Sequence, residues 1–133
     1  MTVFALEVFG ASMVKRCWRE SYSRAHSTIA PSRGNLVPDP SIDPLAAIFY
    51  SFQGSDVEPS SSDFQRGVIL VGNALLDPRA LRDIPSQVVV TELDLLNTVV
   101  DLVLDLDPDV AIGWEVQSSS WGYLGARGLQ YGL

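Results

Sequence analysis

The chain opens on Val3-Phe4-Ala5-Leu6-Glu7-Val8-Phe9, an apolar run broken only by one acid. Such a run predicts a strand covered on both faces except at a single special point. Residues 10–33 hold neither a period of 2 nor one of 3.6 and read as loop. The stretch 34–44 is turn-rich, with Pro38, Pro40 and Pro44 interleaved with Asp39 and Asp43. A second strand is predicted over 45–52, a loop over 54–63, a third strand over 67–71 and a short fourth over 87–90. The second and third, separated by one loop, are expected to be neighbours in the sheet.

Helical spacing is clearest over 92–106. Leu96, Val99, Val100 and Val103 are expected on one face, with Asp94, Asp101 and Asp105 on the other. Thr91 can cap the start, with Asp94 three residues on in an imperfect capping box, and Asp107-Pro108-Asp109 ends the helix. A strand over 110–114 and a weaker, glycine-containing helix over 119–129 complete the chain. A strand meander followed by helix, strand and helix predicts an α/β layer on a mixed sheet. At 133 residues there is enough chain for one core.

Charge changes this picture in one place. The net charge is −7, yet residues 10–33 carry Lys15, Arg16, Arg19, Arg24 and Arg33 against one acid, Glu20. The remaining 4 basic residues face 15 acids, a balance of −11, which argues against a self-sufficient DNA binder. One cysteine, Cys17, and one histidine, His26, exclude an internal disulfide and a Cys/His zinc cluster. They make an intracellular, reducing compartment the default. No basic leader precedes the first strand, and no apolar run reaches the ~20 residues that span a bilayer, so no membrane partner is expected.

Two segments resemble the exonuclease region of family B DNA polymerases. Asp107-Pro108-Asp109-Val110-Ala111-Ile112-Gly113-Trp114-Glu115-Val116-Gln117, continuing through Tyr123-Leu124 to Arg127, is similar to that family's second exonuclease motif. There a strand ending Gly-Tyr-Asn precedes a helix bearing Phe-Asp and Tyr-Leu-x-x-Arg. The opening strand through Ala5-Leu6-Glu7 is similar to the first motif, Asp-Ile-Glu. Helix 92–106 stands where the family has a Glu-x-x-Leu-Leu helix. The resemblance implies a ribonuclease-H-like 3'-5' exonuclease-type α/β fold with a mixed sheet, incomplete. Residues 1–133 would form a partial exonuclease-like domain, with 10–32 a disordered or foreign insertion. The third exonuclease motif and the palm motifs would lie beyond Leu133, and a partial sheet predicts marginal stability.

The departures from the family pattern are chemical. Ala5 stands for the first-motif Asp, Glu115 for the Asn and Ser120 for the second-motif Asp, which leaves Glu7 as the surviving carboxylate. Two-metal phosphodiester cleavage needs several converging acids. The resemblance therefore implies a degenerate, inactive exonuclease with no catalytic residue and no metal or cofactor in this segment. Magnesium would belong to the palm of the parent, a nuclear translesion DNA polymerase of this family. Its partners would be DNA and accessory polymerase subunits, and this module would act as a scaffold.

Two other readings stay open: a magnesium nuclease built on Glu7, Glu115 and Asp109, or an interaction module whose acidic helix 92–106 faces a basic partner. Glu7 reads first as an acid at a strand end. Ser118, Ser119 and Ser120 lack a placed histidine base, and Cys17 with His26 lacks an ordered frame. Asp105, Asp107 and Asp109 do not have calcium-loop spacing. Trp114, Trp121 and Tyr123 could stack on bases but are expected in the core.

Overall fold

The computed structural model describes residues 3–9, 38–53, 65–72, 81, 84–113, 116–117 and 119–133. Among the described residues the chain runs β1 (Val3–Phe9), β2 (Ala47–Gln53), β3 (Gln65–Val71), β4 (Ser86–Val89), α1 (Glu92–Leu106), β5 (Val110–Ile112) and α2 (Trp121–Tyr131). The basic segment 10–33, and with it the expected insertion at 10–32, lies outside the described residues.

The strands form one mixed sheet in the order β4-β3-β2-β1-β5. β2 is antiparallel to both β1 and β3, while β4 pairs parallel with β3 and β5 parallel with β1. The expected adjacency of the second and third strands is thus observed. Because β4 and β5 run in the same direction at opposite edges, α1 must cross the sheet between them, as parallel strands require. Phe9 pairs with Ala47, so both ends of the β1–β2 connection lie at one end of the sheet.

Alternation along the strands divides the apolar residues between two faces. Phe4, Ile48 and Ile69 join Leu95, Leu96, Val99 and Tyr123 in the larger core under both helices. Ala47, Val68, Leu70 and Leu81 form a smaller core, with Ala46, Phe49 and Ile84 packed against it. Over 47–50 and 68–71, β2 and β3 are apolar in every position because both of their faces are covered there. β4 and β5 are exposed edge strands.

The helix over 92–106 is observed with the expected bounds. Thr91 accepts from the Asp94 N–H at 3.1 Å while the Asp94 carboxylate accepts from the Thr91 N–H at 2.9 Å, a complete capping box. Asp107 ends the helix in the left-handed region at φ 41, and its N–H donates to the Val103 carbonyl. The buried face needs a correction. Leu95 is fully buried beside Leu96 and Val99, whereas Val100 is 47% exposed. At 3.6 residues per turn, Val100 lies on the flank of the arc centred on Val99 and Leu95.

The strand bounds also shift, the fourth strand covering 86–89 rather than 87–90. The second strand starts at Ala47 rather than 45, the third already at Gln65, and the last ends at Ile112 among the described residues. The final helix covers 121–131 instead of 119–129.

A close approach explains Gly67. It is the register partner of Tyr50, and a Cβ at Gly67 would collide with the Tyr50 ring. That ring is part of the larger core and stacks on Phe4 at 6.0 Å. Gly67→Ala is expected to destabilise the chain by about 1–3 kcal/mol, as overpacking does. A urea midpoint unchanged by the substitution would show that Tyr50 swings aside at no cost.

Candidate functional site

The turn after Pro38 is built by short polar side chains. Asp39 accepts from the Ser41 N–H at 2.9 Å and the Ser41 hydroxyl at 2.6 Å, and Asp43 accepts from the Asp39 N–H at 2.9 Å. This turn is gripped by α2. The Tyr123 hydroxyl donates to the Asp43 carbonyl at 2.6 Å, and Arg127 Nη1 donates to the Pro40 carbonyl at 2.9 Å.

Glu92, in the first turn of α1, completes the arrangement. Its Oε1 accepts from the Leu45 N–H at 2.6 Å and from Arg127 Nε at 2.8 Å. Its Oε2 accepts from Arg127 Nη2 and from the Tyr131 hydroxyl at 2.8 Å. All four acceptor sites of the carboxylate are occupied. The Arg127 and Glu92 side chains are 9% and 6% exposed, so this is a bidentate ion pair in a nearly dry setting. It ties together the 38–45 turn, the start of α1 and the end of α2.

The electrostatics follow from these contacts. Burial pushes the Glu92 carboxyl up, but the Arg127 hydrogen bonds, the Leu45 N–H and the Tyr131 hydroxyl outweigh it and leave the group below the ordinary range. The Glu92 carboxylate raises Arg127 against the opposing effect of burial. The same carboxylate, aided by burial, raises Tyr131. Burial, reinforced by the Asp43 charge, drives the Tyr123 phenol well upward and keeps it a neutral donor.

The positions matched to nuclease chemistry are arranged differently. In the sheet Ala5 pairs with Ser51 and Ile112, and Glu7 pairs with Phe49. The Trp121 indole donates to the Ile112 carbonyl at 3.0 Å and its ring packs on Phe4 at 5.7 Å. That places the start of α2 at the register level of Ala5. Ser120, just before Trp121, is 2% exposed, and its hydroxyl has no hydrogen-bond partner among the described residues. The Glu7 side chain, Glu115, Trp114 and Ser118 lie outside the described residues. Ala5 and Ser120 supply no carboxylate, so this residue set does not fit a pair of divalent ions.

Asp109 is not brought to Glu7. It precedes Val110, which pairs with Val3, so it lies near the opposite end of β1. At ~3.3 Å per residue the offset is on the order of 16 Å, beyond the reach of two carboxylates. Among the described residues no three Asp, Glu, His or Cys side chains converge. Tyr123 is buried and Trp121 packs on Phe4, as expected of core aromatics.

The Glu92–Arg127 pair was not foreseen as a pair. Its traces were an acid opening the Glu-x-x-Leu-Leu helix and a lone arginine ending Tyr-Leu-x-x-Arg. Nothing local in the sequence links positions 35 residues apart.

Comparison with known proteins agrees with the motifs. No family model matches the chain. It is 41% identical over 96 residues, 70% of its length, to the DNA polymerase zeta catalytic subunit of Schizosaccharomyces pombe. It is 28% identical over 131 residues, 91% of its length, to the corresponding subunit of Saccharomyces cerevisiae, and 28% identical over 109 residues, 71% of its length, to that of Homo sapiens. The chain spans only 6%, 9% and 4% of those relatives. The family B DNA polymerase from Pyrobaculum calidifontis shares the fold at a TM-score of 0.55 and 19% identity, covering 100% of this chain and 11% of the other. No helix among the described residues is long and apolar enough to cross a membrane. By motif, fold and sequence similarity, the chain is a homologue of part of the catalytic subunit of DNA polymerase zeta and, through it, of the family B DNA polymerases.

Proposed function

We propose that the chain is a segment of a translesion DNA-directed DNA polymerase and forms a ribonuclease-H-like, exonuclease-type module that no longer cleaves DNA and acts as scaffold. One observation carries this reading. Two charged residues of the family motifs, Glu92 and Arg127, are buried in a clamp between elements, while the matched nuclease positions Ala5 and Ser120 bear no carboxylate. Cleavage through two metal ions requires acids at those points.

Loss of cleavage suits extension past lesions, because an active proofreading site would excise the mismatched ends that such an enzyme must extend. In the parent, magnesium would work in the palm, DNA and accessory polymerase subunits would be the partners, and the enzyme would act in the nucleus. Here the residues hold shape. Tyr123 and Arg127 fasten α2 to the 38–45 turn, and Glu92 fastens α1 to the same turn.

The test is cleavage of a 5'-labelled single-stranded oligonucleotide by the purified chain in magnesium or manganese. No shortening is expected beyond that given by Glu7→Gln. Metal-dependent removal of 3' nucleotides that Glu7→Gln abolishes would establish a nuclease and overturn the scaffold reading.

A further inference from the structure

Beyond the clamp, the outward side of α1 carries two parallel stripes, one apolar and one acidic. Leu93, Val100 and Leu104 are exposed, Leu104 at 71%. With Asn97 they occupy positions spaced four, three and four apart, the pattern of a helix-packing seam. The seam runs from Leu93 to Leu104, roughly 16 Å of helix. One helical step to its side, Asp94, Asp101 and Asp105 form an acidic stripe, also exposed. α1 contains no basic residue, and Asp105 stands in its last turn, where the helix dipole is already negative.

We propose that this face docks a basic amphipathic helix of another protein. Its apolar side would cover Leu93, Val100 and Leu104, and its lysines or arginines would lie along Asp94, Asp101 and Asp105. A helix in a groove or on a seam is read through such regularly spaced anchors. The flanking charges choose the partner, as they do at the edges of coiled coils. A second copy of this chain is the poorer occupant. Two α1 helices packed through the seam would bring acidic stripes together with no base on either. Asn97, polar in the middle of the seam, would favour one register.

The probes are two synthetic amphipathic helices with identical heptad-spaced leucines, one carrying lysines on its other faces and one carrying glutamates. Binding to the full chain is followed by fluorescence anisotropy. The lysine peptide is expected to bind and the glutamate peptide not to. Leu104→Ser should weaken the lysine peptide about tenfold, as loss of one buried leucine does. Asp101→Asn with Asp105→Asn should weaken it as well, and Leu129→Ser, an exposed leucine on α2, should leave it unchanged. Circular dichroism confirms that each variant keeps its helices. Three outcomes overturn the proposal. Binding indifferent to Leu104→Ser would be charge attraction to an acidic chain alone. Equal binding of both peptides would remove the charge code. A concentration-dependent dimer in sedimentation that Leu104→Ser abolishes would assign the face to a second copy.

Discussion

Replacing Arg127 with methionine is expected to cost about 3–5 kcal/mol, the usual loss when one partner of a buried ion pair is removed. The carboxylate of Glu92 would stay behind, buried, with only the Leu45 N–H and the Tyr131 hydroxyl to hold it. The Pro40 carbonyl would lose its donor at the same time. Glu92→Gln should also destabilise, since the guanidinium then faces a neutral amide. The double variant is expected to lose less than the sum of the two single losses, because it leaves no lone buried charge. Urea denaturation of the four proteins measures this directly. Strict additivity would mean that Glu92 and Arg127 act independently, contrary to their shared hydrogen bonds.

Acid gives a second readout of the same pair. The folded Glu92 carboxyl titrates below its unfolded value. Its contribution is therefore complete above the ordinary glutamate range, near ~4.3, and is lost as pH falls through the folded value. In Arg127→Met the guanidinium no longer opposes burial, so the carboxyl is expected to titrate higher than in the parent chain and its protonation to cost the variant less. The stability gap between the two proteins should be widest near neutrality and narrow below about pH 4. A gap independent of pH would deny Glu92 this role.

Phe4→Ala is the second large loss, expected at about 3–5 kcal/mol. Phe4 is fully buried, stacks on Tyr50 at 6.0 Å and meets Trp121 at 5.7 Å. It is the point where β1 receives the start of α2. An alanine there opens a cavity beneath Trp121 and loosens the indole that donates to the Ile112 carbonyl. Faster hydrogen exchange at the Trp121 indole should accompany the lower urea midpoint. A loss under about 1 kcal/mol would mean that the neighbouring side chains close the gap.

Both predictions concern contacts that differ in how far they could be read in advance. The acids missing at positions 5 and 120 are legible in the sequence itself once the two motifs are aligned with their family, because a ligand set depends on residue type. Where those positions sit is not. It took the Trp121 indole on the Ile112 carbonyl to bring the start of α2 to the level of Ala5. It took the β1–β5 register to place Asp109 away from Glu7. Each is a long-range pairing, and a short strand such as Val110–Ile112 carries no local mark of its neighbour.

The sequence by itself determined what arises within a turn or two of chain. The capping box of Thr91 and Asp94, the stop at Asp107 and the strand character of 47–52 and 67–71 all rest on neighbours within about four residues. Tertiary structure decided which side of each element was covered. Val100 satisfies the helical period, yet the sheet lies under Leu95, Leu96 and Val99 and leaves Val100 exposed. Leu45 is as apolar as the strand it precedes, but its N–H is taken by Glu92, and β2 begins two residues later. The pairing of Glu92 with Arg127 belongs to the same class. A buried charge must find an opposite one wherever the fold brings it, and only the packing of α1 and α2 on one turn decides which that is.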